Sequence, residues 1–293
     1  MDAPVLSLGA VNSKISMNKV LNYKKWASHK KKLRRRRRQA KKGLVVYRII
    51  PDTNVLYKLG SDDRLFNHVK NNLYPTYVNL WELTNTGSLV SKFSVVRCAI
   101  QKMLLCKDSL LLVEPLKYLI EFSNKNCTLG RREYAKQLLL VARKISDGAT
   151  IKEELQSEFE LYLNEAKEEM KNVEIKINEM AVECKKKIKN NQRHRKILSL
   201  PTVYQLVDSW AVTATCGQLK LKKSILSTNE LFFKVLDNYF KCLEVGEYKW
   251  KRNDLFDLFN MAYVRKGDKY WTQEKKWLTL IKEAGCEQYL YMD

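Results

Sequence analysis

Apolar residues along this chain change their spacing several times, and each change predicts an element. Leu44 to Ile50, LVVYRII, is short and β-branched and predicts a buried strand that ends at Pro51-Asp52. Residues 53–72 predict a loop and then a helix with Leu56, Leu59, Leu65, Phe66 and Val69 on its apolar face. Tyr74-Pro75 breaks that helix. Thr76-Tyr77-Val78 predicts a second short strand, and Asn79 a cap for a helix carrying Leu80 and Leu83. Helical spacing runs on over 89–122, interrupted at Pro115, and another helix is predicted over 131–147.

Residues 150–197 contain neither Gly nor Pro and favour helix strongly. Phe159, Tyr162, Leu163, Ala166, Met170, Val173, Ile177, Met180 and Cys184 step at threes and fours, which makes an apolar stripe on a long charged helix. Further helices are predicted over 202–216, 228–243, 254–264 and 273–284, the last closed by Gly285. Lys269 to Trp271 and Gln288 to Met292 predict the last strands.

Strands followed by helices at both ends of the core imply a parallel, doubly wound sheet with helices on both faces. The expected fold class is α/β, a three-layer α/β/α sandwich, with a large helical insertion at about 89–200. In such sheets the active crevice forms at the carboxyl ends of the strands.

Charge adds a second region. The net charge of +22 is concentrated at one end: between Ala3 and Pro51 there are 15 Lys or Arg residues and no Asp or Glu. Lys30, Lys31, Lys32, Arg34, Arg35, Arg36, Arg37 and Arg38 form its densest run. Such density favours an extended or helical solvated arm, here residues 1–43, and suits contact with a polyphosphate. Tyr23 and Trp26 offer stacking surfaces beside it, which favours nucleic acid over a mere solubility tail. The same run could serve as a nuclear import address in a eukaryotic host.

Seven cysteines, none closer to another than eight residues, argue against a disulfide framework or a zinc ribbon and for a reducing, cytoplasmic compartment. Three histidines, two of them in basic runs, nearly exclude a His-rich metal site. No apolar run approaches the roughly 18 residues of a membrane span, and no secretory signal is expected.

The acids that remain fall where the expected sheet would put a crevice. Asp52 follows the first strand, and Glu82 lies about one turn into the helix after the second. Asp254 and Asp257 share one face of a helix start, Asp268 opens a strand, and Glu274 begins the helix after it. Each alone reads as a cap. Together, four to six carboxylates in one pocket would repel unless a cation held them, and oxygen ligands without His or Cys select Mg²⁺ or Mn²⁺.

The segments IIPDTNVLYKL, YPTYVNLWELTN and NDLFDLFNMAYVRKGDKYWTQEKKW, in that order, resemble a PIN domain, a family of metal-dependent ribonucleases and flap-type nucleases. The resemblance covers about 45–88 and 250–292. It implies Asp52 as the first acid, Glu82 as the second, and Asp254 or Asp257 as the third. Glu274 stands where the family has an Asp two residues after a Thr, here Thr272, and Asp268 is its rival. Asn54 matches a polar residue of the first motif that would orient Asp52. The long gap between Glu82 and Asp254 implies that residues 44–293 are one nuclease domain with a helical insertion, which could bind RNA, a protein partner or a second copy.

The resemblance thus implies an endoribonuclease with Mg²⁺ or Mn²⁺ held by carboxylates, its substrate gripped by the basic arm. The alternatives are a non-catalytic RNA-binding scaffold and a DNA flap or nicking nuclease.

Overall fold

The computed structural model describes residues 47–124, 133–149, 200–215 and 219–292, with isolated positions between 161 and 186. The chain divides at Val46, and the second unit, Tyr47–Asp293, is compact. The basic arm, with Lys30 to Lys32 and Arg34 to Arg38, and nearly all of the predicted 150–197 helix lie outside the described residues.

Two short strands lie at the centre of the second unit. β1 (Ile49–Pro51) pairs in parallel with β2 (Lys269–Trp271), Ile50 opposite Tyr270. Single parallel bridges extend the pairing from Ile49 to Leu73, from Thr76 to Leu111 and from Tyr270 to Leu290. Around them are twelve α-helices among the described residues: α1 (Thr53–Ser61), α2 (Asp63–Val69), α3 (Tyr77–Thr84), α4 (Ser88–Ser91), α5 (Phe93–Leu105), α6 (Pro115–Ser123), α7 (Glu133–Ser146), α8 (Leu200–Ala214), α9 (Ile225–Thr228), α10 (Glu230–Val245), α11 (Arg252–Met261) and α12 (Lys275–Glu283).

This overturns the expected α/β/α sandwich. The described part of the molecule is mostly helical, and two strands of three residues cannot form the central layer of such a sandwich. The physical reasons are local. β1 ends at Pro51, whose carbonyl is taken by the side-chain amides of Asn79 and Asn260 rather than by a neighbouring strand. The predicted strand Thr76–Val78 is the start of α3. The Thr76 hydroxyl accepts from the Asn79 amide at 3.3 Å, while the Asn79 side chain accepts from the Thr76 amide at 2.9 Å. This reciprocal cap outweighs the β-branched character of the segment. The predicted last strand is a 3-10 turn, Glu287–Tyr289, followed by the single bridge at Leu290.

Alternation along the strands is nonetheless clear. Ile50 and Tyr270 belong to one apolar cluster, built with α6, α8, α10, α11 and α12. Ile49 and Trp271 belong to another, built with α1, α2, α3, α5 and α7. Successive residues of a strand face opposite sides, so each strand buries apolar surface twice. Helices α5 and α7, within the stretch expected as an insertion, therefore contribute to the core that holds α1. Gly60 marks the closest approach: a Cβ there would lie 2.9 Å from the backbone nitrogen of Ala99.

A buried ion pair closes the ribbon from below. Arg48, just before β1, donates through Nε to both carboxylate oxygens of Asp268 at 2.9 Å, and through Nη2 to the carbonyl of Tyr263 at 3.1 Å. The two residues are 220 positions apart, so this contact sets the register of β1 on β2.

Candidate metal centre

The first candidate acid, Asp52, is the residue between β1 and α1 and is 2% exposed. Its position follows from the backbone around it. The Asp52 amide donates to the Trp271 carbonyl at 2.8 Å, which continues the pairing one step beyond Pro51. The Pro51 carbonyl accepts from the side-chain amides of Asn79, at 3.2 Å, and Asn260, at 2.7 Å. Thr76 joins the two, its hydroxyl donating to Asn260 Oδ1 at 2.7 Å. Helices α3 and α11 are thereby tied to the strand end through one carbonyl.

Thr272, just past β2, donates its hydroxyl to Asp52 Oδ2 at 2.9 Å and accepts from the Glu274 amide at 3.2 Å. One hydroxyl thus fixes the first acid and the start of α12, which carries the next. Glu274 stands just before the first residue of α12, and its side chain, which makes no capping bond, accepts from Asn54 Nδ2 at 2.6 Å. The side chain of Asn54, expected to orient Asp52, donates to Glu274, while the Asn54 backbone amide bonds to Asp52. Asp257 comes from α11, and its Oδ2 accepts from the indole nitrogen of buried Trp277 at 2.9 Å.

The outcome is a trio. Asp52, Asp257 and Glu274 each present a carboxylate oxygen within 4.8 Å of the others. They line an open cleft of about 280 Å³, together with Glu82, Thr53, Asn54, Tyr57, Trp81 and Phe256. Glu82, from α3, is held by the Thr53 hydroxyl.

Electrostatics at this trio is strained. Burial pushes the Asp52 carboxyl up to about 6; the Glu274 charge adds to the rise, while Thr272 and the amides opening α1 oppose it. Burial and the charges of Asp52, Glu82 and Glu274 push Asp257 up to about 9, against the stabilising Trp277 hydrogen bond. Among the described residues, no Lys or Arg pairs with Asp52 or Asp257. Tyr270, fully buried in β2 two residues before Thr272, has a hydroxyl without a hydrogen-bond partner among the described residues. Burial, then the charges of Asp52, Asp257, Glu82 and Glu274, holds its pKa far above the usual phenol value.

The other two expected acids are placed elsewhere. Asp254 is buried away from the trio, where it pairs with Lys276 at 2.5 Å and accepts from Tyr239 and from the Lys251 amide at 2.9 Å. Its work is to close the first turn of α11. Asp268 is the partner of Arg48. Both are compensated charges, and neither lines the cleft.

Sequence reasoning missed the supporting groups. Asn79 was legible as a cap, but its second bond, to Pro51, joins segments far apart in the chain. Asn260 and Trp277 had no local signal at all. Trp81 and Phe256 have rings stacked at 4.5 Å and 23° on the cleft wall. They stand next to Glu82 and Asp257 in sequence, and that adjacency was the one available clue.

Family models, curated proteins and solved structures yield no match to this chain.

Proposed function

We propose that this protein is a metal-dependent endoribonuclease, hydrolysing RNA phosphodiester bonds at the cleft of Asp52, Asp257 and Glu274. The observation that carries the reading is the trio itself: three carboxylate oxygens within 4.8 Å, two of them from buried residues that have no cation partner among the described residues. An all-oxygen, anionic donor set fits Mg²⁺ or Mn²⁺. When bound, such an ion supplies Lewis acidity and neutralises charge that develops on a phosphoryl group.

The chain's own residues do the positioning. Thr272 fixes the rotamer of Asp52, Asn54 that of Glu274, and Trp277 that of Asp257, so the ligand set is held before the ion arrives. Glu82, anchored by Thr53, adds a fourth carboxylate to the wall. In the hydrolysis, water adds to phosphorus and the departing ribose oxygen leaves with a proton. The order of Asp52, Glu82, Asp257 and Glu274 along the chain resembles that of the acids in PIN nucleases, and supports phosphodiester chemistry over other uses of the metal. The arm of Lys30 to Arg38 would supply salt-dependent affinity for the polyanion.

Cys98, Cys242 and Cys286 are free thiols, which supports a reducing, cytoplasmic setting. Among the described residues no helix is long and apolar enough to cross a membrane.

The test is cleavage of labelled single-stranded RNA and DNA in Mn²⁺ or Mg²⁺ by the wild type and by Asp52→Asn. Metal-dependent RNA cleavage that the variant loses is the expected result. DNA cleavage alone would reassign the substrate. Intact RNA and DNA, with salt-sensitive binding retained, would leave an RNA-binding scaffold and refute the enzyme.

A further inference from the structure

The Trp81–Phe256 stack lies on the wall of the cleft that holds the acidic trio, and the metal chemistry proposed above does not use it. Trp81 comes from α3 and is followed by Glu82; Phe256 comes from α11 and is followed by Asp257. Both rings are half-buried, so each keeps part of its surface open. Tyr57 of α1 lines the same cleft, as does Asn253, whose side chain is exposed at the start of α11. The result is an aromatic wall with a polar rim, beside a group of carboxylates suited to a cation.

An aromatic wall beside a phosphate-handling centre fits one class of ligand. A nucleobase has two flat faces, and each stacks on an aromatic ring with little regard for its identity. Bases in a duplex are stacked on each other and present only their edges, whereas bases of a single strand are free to splay out onto such a ring. We infer that Trp81 and Phe256 form a stacking platform for a nucleobase of single-stranded RNA, next to the phosphodiester that is cut. The inference rests on the nuclease reading and adds the substrate form: an unpaired strand, gripped by base stacking, with little sequence preference.

A structural role for the stack is the competing explanation, since it also joins α3 to α11 and so sets Glu82 beside Asp257. Kinetics separates the two. The substrates are a short oligouridylate and an abasic ribose-phosphate oligomer of the same length, cleaved in Mn²⁺ by the full chain. The wild type is expected to cut the oligouridylate with a kcat/KM about tenfold to a hundredfold higher, mostly through KM. In Trp81→Leu and in Phe256→Leu this ratio is expected to fall towards one, the oligouridylate losing far more than the abasic oligomer, while Trp81→Phe keeps most of it.

A wild-type ratio near one, with cleavage intact, would overturn the platform and leave the nuclease standing. An equal fall of kcat on both substrates in the Leu variants would assign the stack to holding the helices, and would also overturn it. No cleavage of either oligomer by the wild type would refute the nuclease reading and the platform together.

Discussion

Replacing Asp257 by Asn is the perturbation that separates a metal site from an ordinary buried acid. The side chain keeps its shape, and an amide oxygen can still accept from Trp277 Nε1, now 2.9 Å away. What changes is charge. In the metal-free protein, the Asp257 carboxyl is pushed up to about 9 by burial and by the charges of Asp52, Glu82 and Glu274. At pH 7 the folded protein holds a proton there that the unfolded chain releases. Each pH unit above the unfolded value costs about 1.4 kcal/mol, so the proton costs up to about 4 kcal/mol at pH 7. Two charges 4.8 Å apart repel by about 3.5 kcal/mol at an effective dielectric constant of about 20, which is the same order. With relaxation and water in the open cleft, about 1–3 kcal/mol of this is expected to be recovered in Asp257→Asn, which raises the melting temperature by roughly 3–10 °C.

The sign with pH follows. A folded-state value above the unfolded one means that the native protein binds more protons. The stability Asp257 and Asp52 contribute is full below about pH 4 and is lost as pH rises through their folded values, about 9 and about 6. The metal-free wild type should therefore melt lower at pH 8 than at pH 5.5, and the gap to Asp257→Asn should widen over that range. Mn²⁺ at a hundred times its Kd should raise wild-type stability by about 2.7 kcal/mol and the variant's hardly at all. Differential scanning fluorimetry in EDTA and in Mn²⁺ reads all of this. A variant that melts below the wild type in EDTA at pH 8, or that shifts equally with Mn²⁺, would refute the argument.

Three other substitutions probe the frame of the site. Arg48→Met leaves buried Asp268 with only Arg265, whose Nε lies 3.8 Å away, and should cost about 3 kcal/mol in urea unfolding; a loss under about 1 kcal/mol would deny the Arg48 pair its role in holding β1 on β2. Gly60→Ala forces a methyl to within 2.9 Å of the Ala99 nitrogen and should cost about 1–3 kcal/mol, with Mn²⁺ affinity unchanged once folded; an unaltered unfolding midpoint would mean that α1 and α5 separate freely. Thr272→Val removes the hydroxyl that bonds Asp52 and the Glu274 amide, and should weaken Mn²⁺ binding roughly tenfold or more in calorimetry, a result that wild-type affinity in the variant would contradict.

Much of the site was legible in the sequence because its residues occupy element ends, which punctuation marks clearly. Pro51-Asp52 ends an apolar run, Gly267 precedes β2 with φ +88°, and Glu274 follows Thr272 just before α12. The fold was less legible, for two reasons. Thr76-Tyr77-Val78 has the composition of a strand, and only the reciprocal cap with Asn79 makes it a helix start. The second reason is the core. Val96, Ala99, Ile100 and Met103 of α5 sit at helical spacing, which says that they are buried but not that they pack against Leu56 and Leu59 of α1. Periodicity gives a face, never its partner. The choice between Asp254 and Asp257 was likewise beyond local reasoning. Both lie near the start of one helix, and what separates them is Lys276 and Tyr239 on one side and Trp277 on the other.

That separation is also the strongest physical argument for a ligand. The same helix carries two buried aspartates within one turn, in opposite electrostatic settings. Asp254 has an ammonium at 2.5 Å, a phenol and a backbone amide, so its charge is compensated within the protein. Asp268, the other acid expected at the site, has the Arg48 guanidinium. Asp257 faces Asp52 and Glu274, and among the described residues the indole N–H of Trp277 is the hydrogen bond that offsets them. The protein therefore has the means to neutralise buried acids and uses them on both sides of the cleft. At the cleft it holds the carboxylates together instead, fixing them with Thr272 and Asn54, which orient the acids without cancelling their charge. A fold at its lowest energy alone would have relieved that repulsion with one lysine or one asparagine. Clustered, oriented acids without a cation partner cost the protein stability, and the metal reading proposed above predicts that a divalent cation would return it.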